Sequence, residues 1–450
     1  MKPRSALLCA ALALAAGCAA VSEKVDTKEQ LAQPLDRLLI GQAAKYPADL
    51  TLRARAPEFE GSMAARRKMA WDVVAKVLAP VRVPGTALLD GGADGGADGA
   101  AIDMPRFQTW YSSDDFFPMF DRLFRAMPTA DQQARKPFSD DALAAIFPWN
   151  AQMGTSLASY TTERFEARRR ELATAAGAAS LGKDARVLMS PAYVDHVLRS
   201  YGAIIGCDPT IEDPNNFAPC MNGEMPADAV SVKTRWMPDS LSVPVYDTSA
   251  AAIKTRFAGG TFGAGDSQAT PTADQAYTMQ LTPTRTSRLV ALHIVSKELQ
   301  DWAWITLWWS PDPNSDFGAD RPATIGGVFA NYKMCVVTAY AEKDPTPGAG
   351  FPDSLAAALD ATHDGPATWC SNPYLETADH EVKTSCIGCH QNGGTGETTD
   401  TILAQPDKFP DNGRTKVRVS FPSDYAFTTD GGLDLAAGMK ARIDAVSPSP

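Results

Sequence analysis

Two cysteines and a histidine near the carboxyl end of the sequence stand at a spacing that suits one cofactor. Cys386, Cys389 and His390 form a C-x-x-C-H motif, which is the attachment sequence of c-type haem. Two thiols at this spacing can reach the two vinyl groups of one porphyrin and form thioethers, while the adjacent imidazole binds the iron from the proximal side. A thioredoxin-like C-x-x-C is the alternative, but it calls for a βαβ context that the neighbouring sequence lacks. The sequence therefore predicts one covalent haem c.

The second axial ligand of the iron has two candidates. The chain after His390 contains one methionine, Met439, and no histidine. Met439 lies in a stretch that predicts a helix, where a methionine is more often a packing residue. The rival is His293, in a run that predicts a strand, where a buried imidazole needs a partner: either a backbone carbonyl or the iron. An open sixth position is the third option, and the choice matters because axial ligands set the reactivity of the iron.

The amino terminus has the pattern of an exported protein. A basic start precedes a short apolar run and small residues, as in a secretory signal. The stretch from Leu14 to Cys18 is similar to a bacterial lipobox, whose cysteine is lipid-modified after cleavage. Ordinary cleavage that leaves Cys18 as a plain thiol is the alternative. We expect a signal peptide over residues 1–17, a tether over residues 18–35, and a lipid anchor on the periplasmic or cell-surface face of a bacterial membrane.

Four further cysteines form an even set that suits disulfides. An exported protein meets an oxidising compartment, where disulfides persist, and four cysteines allow three connectivities. We favour Cys207–Cys220 and Cys335–Cys370 as structural disulfides. A zinc site is the alternative, although neither pair has the close C-x-x-C spacing that zinc sites use.

The charge balance limits the classes of partner. Of 450 residues, 42 are Lys or Arg and 53 are Asp or Glu, which gives a formal net charge of −11. A net acidic protein is a poor candidate for nucleic-acid binding, because that affinity depends on neutralising phosphates. We therefore expect a redox partner protein and no nucleic acid.

The elements that must position the motif fall into three regions of an α+β fold. Residues 36–205 are expected to be mainly helical, with one apolar stripe made of Ala70, Val73, Val74, Val77 and Leu78. Residues 206–345 contain short β-rich runs between turns, which predict an antiparallel sheet or sandwich. In that region Trp302–Trp309 is expected to be a strand buried on both sides. Residues 346–450 form a loop-rich haem c segment, which we expect to be one integrated fold with the β-rich region.

Several segments together resemble a family of exported bacterial cytochrome c-like lipoproteins with one C-x-x-C-H motif. The resembling segments are Pro105–Tyr111, Leu292–Leu307, Ser371–Glu376, Ser385–Gln391 and Asp424–Phe427. The resemblance implies that the helical and β-rich regions belong to one haem protein. It also draws attention to His293, which the family places in a similar strand. Where relatives have Phe-Glu-His after the tryptophan strand, this chain has Trp308, Trp309 and Ser310, so the second histidine has no counterpart here.

Three functions fit a single covalent haem. The first is electron transfer by a monohaem cytochrome, a redox carrier rather than a catalyst. The second is a haem-dependent oxidoreductase of peroxidase type with an open or displaceable sixth position. Its distal acid and base groups would come from His293, Glu298 and Arg321. The third is a haem-based binding or sensor protein.

Overall fold

The computed structural model describes part of the chain, namely residues 43–83, 102–111, 113–146, 185–206, 220–282, 285–339, 348, 350–362, 369–376, 382, 385–392, 424–425 and 435–446. The predicted signal peptide (residues 1–17), the predicted lipidation site Cys18 with its tether, and Cys207 lie outside the described residues.

Strands and helices are mixed along the described chain. The strands are β1 (Pro80–Val83), β2 (Ile102–Pro105), β3 (Ala185–Met189), β4 (Val230–Pro238), β5 (Val243–Val245), β6 (Ser267–Ala269), β7 (Thr278–Thr282), β8 (Arg285–Ser296), β9 (Ala303–Trp309) and β10 (Tyr332–Val337). The helices are α1 (Ala56–Gly61), α2 (Met63–Leu78), α3 (Ser113–Ala126), α4 (Thr129–Gln133), α5 (Asp140–Ile146), α6 (Pro191–Arg199), α7 (Tyr201–Ile205), α8 (Ala250–Gly259), α9 (Asp353–Thr362), α10 (Cys386–His390) and α11 (Leu435–Val446). The predicted α+β class is confirmed.

A central antiparallel sheet organises the fold. Its strand order is β10-β9-β8-β4-β3, and β7 also pairs with β8. The region expected to be mainly helical thus supplies the edge strand β3, and it also contains the antiparallel pair β1–β2. The sequence did not predict these three strands, because each is only four or five residues long and has no clear alternation of its own.

Strand β9 lies between β10 and β8 and is buried along its whole length, as its continuous apolar sequence predicts. Successive side chains of a strand alternate between the two faces. Trp304, Thr306 and Trp308 therefore share one face, and Ile305 and Leu307 lie on the other. Trp302 differs from the prediction, because it precedes the strand and has a φ of 64°.

Helix α2 forms where the sequence predicts one. The side chain of Ser62 accepts a hydrogen bond from the Ala65 amide and so caps the first turn. The buried positions include the whole predicted stripe, namely Ala70, Val73, Val74, Val77 and Leu78. Arg67 holds the helix against the sheet edge, because its guanidinium donates to the Asp320 carboxylate at 2.6 Å and to the Met334 carbonyl at 2.8 Å.

The same helix covers one face of the sheet. Lys76 pairs with the buried Glu298 carboxylate at 2.6 Å, and Glu298 also accepts a hydrogen bond from the Ser296 hydroxyl at 3.0 Å. Ser296 lies on the same face of β8 as Ile294. Helix α2 therefore packs on the face opposite to the one that carries His293.

A second group of helices packs around aromatic side chains. The ring of Tyr201 in α7 stacks on Phe138 at 4.7 Å and meets the edge of Phe120 from α3 at 5.6 Å. Helix α11 packs mainly against α3 and α7, and its Met439 is fully buried. None of the helices in the described ranges is both long and apolar enough to cross a membrane.

Candidate haem site

The C-x-x-C-H motif folds into a single helical turn, α10. The backbone of Ser385 before it is extended, and the Gln391 amide closes the turn by donating to the Ile387 carbonyl at 3.1 Å. On such a turn, residues three positions apart lie on the same side. Cys386 and Cys389, which are both reduced and half-buried, therefore present their thiols to one side, as attachment to a single porphyrin requires.

His390 is fixed in one tautomer by the backbone. Its Nδ1 lies 3.1 Å from the carbonyl oxygen of Tyr425. A carbonyl can only accept, so Nδ1 carries the proton and Nε2 is the nitrogen that would bind a metal. Burial lowers the pKa of His390 to about 3, which keeps the imidazole neutral at ordinary pH. A neutral imidazole whose second nitrogen donates to a carbonyl is the usual arrangement of a metal-binding histidine, so this residue fits the iron of a haem.

The tryptophan strand packs directly against this imidazole. The ring centroids of Trp304 and His390 are 4.4 Å apart, and the Trp304 indole donates to the Asp301 carbonyl at 2.8 Å. The Tyr425 ring lies 6.2 Å from Trp304 on the same side. Trp304 is buried, as the sequence predicts for this strand, and it also contacts the motif.

The thiol of Cys386 has a raised pKa. Burial of the thiol is the main cause, and the nearby carboxylate of Glu376 raises the pKa further. The cysteines of thioredoxin-like proteins have lowered pKa values instead, because the thiolate is the attacking species. The environment of Cys386 therefore argues against the thioredoxin-like alternative.

A disulfide fastens the segment before the motif to the sheet. Cys335 of β10 is bonded to Cys370, which is one of the two pairs favoured from the sequence. The carbonyl of Cys370 lies 3.8 Å from the sulfur of Cys386. Cys220 is also disulfide-bonded, but Cys207 lies outside the described residues, so the Cys207–Cys220 pairing stays a prediction.

His293 lies on the sheet face that carries the motif. In the register of the sheet it stands between Lys233 of β4 and Thr306 of β9. Its Nε2 is buried without a hydrogen bond. The Glu376 carboxylate lies 3.0 Å from that nitrogen, but out of hydrogen-bonding alignment. Besides burial, electrostatic interactions with Lys233 and His293 lower the pKa of His390, so both residues are close to that imidazole.

The segment that contains Glu376 is hydrogen-bonded to β9. The Asn372 side chain donates to the Thr306 hydroxyl at 2.6 Å and to the Leu307 carbonyl at 2.9 Å. The Glu376 carboxylate accepts a hydrogen bond from the backbone N–H of Asn372. We did not predict Glu376, Lys233 or the Tyr425 carbonyl as parts of the site. A signal for two of them was present, since Glu376 and Tyr425 fall in the segments Ser371–Glu376 and Asp424–Phe427 that resemble the family.

The other predicted residues lie in different surroundings. Met439 belongs to the helical group around α3 and α7. Glu298 is bonded to groups near α2, namely Tyr46, Asp49, Lys76 and Ser296. Arg321 donates to the carbonyls of Pro313 and Tyr332 and to the side chain of Asn314. Of the three candidate distal groups, His293 is thus the one that the structure brings to the motif.

Comparisons of this chain with protein-family models, with curated proteins and with solved structures find no significant match.

Proposed function

We propose that this protein is an exported monohaem c-type cytochrome that carries electrons. The observation that supports it best is the state of His390. The imidazole is held neutral by burial, and its Nδ1 donates to a backbone carbonyl, on a turn that presents two thiols to one side. Haem c, when bound, supplies a one-electron iron couple. Cys386 and Cys389 would form the thioethers, and His390 would bind the iron through Nε2.

We propose His293 as the second axial ligand. Nε2 of His293 is buried and makes no hydrogen bond, although the Glu376 carboxylate lies 3.0 Å away, and a buried nitrogen without a hydrogen bond is costly. Iron would supply the missing bond, and Glu376 would stay beside the imidazole as a neighbouring carboxylate. The alternative ligand Met439 is fully buried among helices, so binding iron would require α11 to give up that packing.

A haem-dependent oxidoreductase is the second candidate, and the same pair of residues favours it. His293 and Glu376 lie 3.0 Å apart near the motif. If the sixth position stays open, they would be an acid and base pair beside the iron, as peroxidase chemistry requires. A binding or sensor protein would share the open position.

The setting of the proposed cytochrome follows from the sequence. Cys18 would carry a lipid that anchors the protein to a bacterial membrane on its periplasmic or cell-surface side. The electrons would be exchanged with a redox partner protein. The net charge of −11 favours a partner with a basic docking surface, because complementary charges speed association.

Covalent haem is the first point to test. The mature chain is produced with haem-maturation factors and denatured, and haem that remains attached is measured by mass and absorbance. We expect one haem per chain in the wild type and none in the Cys386→Ala/Cys389→Ala variant. A wild-type chain that loses all haem on denaturation would overturn the proposal.

The axial ligand is tested by matched variants. We expect the wild type to be low-spin and indifferent to CO, and His293→Ala to become high-spin and to bind CO. Met439→Leu removes the sulfur but conserves the core volume, so we expect an unchanged spectrum and a loss of stability below about 1.5 kcal/mol. If Met439→Leu were high-spin and His293→Ala stayed low-spin, Met439 would be the second axial ligand instead. A high-spin, CO-binding wild type would favour the oxidoreductase or the sensor.

A further inference from the structure

The carbonyl that fixes His390 belongs to a strained dipeptide. Asp424 and Tyr425 have φ angles of 47° and 69°, and the nearby Trp302 has a φ of 64°. The left-handed region is uncommon for residues other than glycine and is an outlier for bulky ones. Such a conformation costs on the order of 1–3 kcal/mol per residue and persists only where the surrounding structure holds it. Trp302 is hydrogen-bonded to Asp424, and Tyr425 contacts the His390 imidazole.

Buried hydrogen bonds hold this dipeptide in place. The Asp424 carboxylate accepts from the ammonium of Lys297 at 2.7 Å and from the Met225 amide at 2.9 Å. The Asp424 carbonyl accepts from the Trp302 indole at 3.1 Å. Lys297 is fully buried, and its ammonium also donates to the Gln300 carbonyl at 2.5 Å. The side chain of Asp424 is thus bonded to Lys297 and to the backbone of Met225, and its carbonyl is bonded to Trp302.

The next peptide unit determines the orientation of His390. Tyr425 follows Asp424 directly, its hydroxyl donates to the Asp301 carboxylate at 3.0 Å, and its carbonyl receives the proton of His390 Nδ1. Lys297 follows β8, the strand that contains His293. One short stretch of chain therefore carries both the proposed second ligand and the cation that holds the acceptor of the proximal one.

We propose that Asp424, through its buried pair with Lys297, is a positioning residue for His390: it holds the Tyr425 carbonyl where it fixes the tautomer and orientation of the imidazole. This inference rests on the proposed haem function for its consequence at the iron. The hydrogen bond at Nδ1 raises the basicity of a metal-binding imidazole. A loosened carbonyl would therefore make His390 a weaker donor and would raise the reduction potential of the iron.

The chain offers a matched control for this proposal. Lys333 and Asp316 form a second buried pair, also with an N–O distance of 2.7 Å, and Asp316 also has a positive φ. This pair is hydrogen-bonded to residues that do not belong to the motif, among them Thr248, Ser315 and Ser354. Asp424→Asn and Asp316→Asn thus make the same chemical change in two similar pairs, only one of which precedes the carbonyl at His390.

The first measurement uses the haem-free full-length protein. The tautomer of His390 is read from its ¹⁵N NMR shifts. We expect the Nδ1–H form in the wild type and in Asp316→Asn, and a mixture of both tautomers in Asp424→Asn. Trp302→Phe keeps an aromatic ring but removes the bond to the Asp424 carbonyl, and we expect a smaller change in the same direction. If Asp424→Asn does not fold, Trp302→Phe decides the question.

The second measurement uses the haem-loaded protein. We expect Asp424→Asn to raise the midpoint potential and Asp316→Asn to leave it at the wild-type value. If both variants lowered the stability equally and neither changed the midpoint potential, the positioning role of Asp424 would be overturned. A wild type without covalent haem would instead overturn the proposed function, while the NMR measurement would still test the role of Asp424.

Discussion

At the scale of single residues, the state of His390 makes the clearest prediction. Burial lowers its pKa to about 3, whereas an unfolded chain has a histidine pKa of about 6.5. In the haem-free protein we expect the NMR signals of His390 to show no change of charge between pH 8 and pH 4. The same signals in denaturant are the control, and they should titrate near pH 6.5. A folded-state midpoint above pH 5.5 would contradict the prediction.

The same shift has a consequence for stability. Between pH 6.5 and pH 3 the unfolded chain binds a proton at this histidine and the folded chain does not. The free energy of unfolding of the haem-free protein should therefore fall as the pH falls, by at most about 1.4 kcal/mol per pH unit from this group. His390→Gln should lack that part of the slope. The free energy of unfolding of the wild type and of His390→Gln is measured with denaturant at pH 7 and at pH 5. An equal pH dependence of the two proteins would exclude the contribution of His390.

The residues of the motif could be predicted from the sequence, but their partners could not. Cys386, Cys389 and His390 are neighbours in the chain, so their chemistry is visible in one short motif. Glu376 and Tyr425 reach the site only through tertiary structure. The group that Tyr425 supplies is moreover a backbone carbonyl, which every residue has, and its position depends on a left-handed φ that no sequence rule assigns to a tyrosine.

At the scale of elements, the attachment of α2 to the sheet edge depends on one buried arginine. Arg67 is 1% exposed at the side chain and pairs with Asp320 at 2.6 Å. Removing one partner of a buried pair leaves the other charge uncompensated and costs about 3–5 kcal/mol. We expect Arg67→Met to lower the free energy of unfolding by about that amount, as measured by denaturant unfolding at pH 7.

The adjacent lysine is the matched control for this prediction. Lys68 pairs with Asp72 along the same helix at 2.9 Å, but its side chain is 78% exposed. Exposed pairs of this kind contribute about 0.3–0.5 kcal/mol, so Lys68→Met should change the stability little. Comparable losses in the two variants would show that Arg67 does not anchor the helix.

Local patterns predicted the elements better than their arrangement. The apolar stripe of α2 and the continuous apolar run of β9 both identified buried elements, because periodicity is a local property. The order of the strands depends on pairings between distant segments. Strand β3 lies at the edge beside β4, although many residues separate the two strands in the sequence, and nothing in Ala185–Met189 specifies that partner.

At the scale of the whole molecule, the sheet separates two layers of the fold. Helix α2 packs on one face, and the segment with the motif packs on the other. The second layer is attached to the sheet by the Cys335–Cys370 disulfide, by the bonds of Asn372 to β9, and by the ring contact between Trp304 and His390. The motif therefore takes much of its apolar surroundings from the sheet, so we expect it to belong to the same folding unit.

This dependence predicts a single unfolding transition for the haem-loaded protein. Because the sheet supplies the surroundings of His390, the circular dichroism of the haem absorption band and that of the backbone should lose their signals at the same denaturant concentration, as two-state unfolding requires. The Cys335→Ser/Cys370→Ser variant removes a cross-link over 35 residues, which is worth about 2–4 kcal/mol. We expect both of its curves to move together to lower denaturant. A haem signal lost well before the backbone signal in the wild type would show that the motif segment unfolds on its own, and that the sheet is not what holds it.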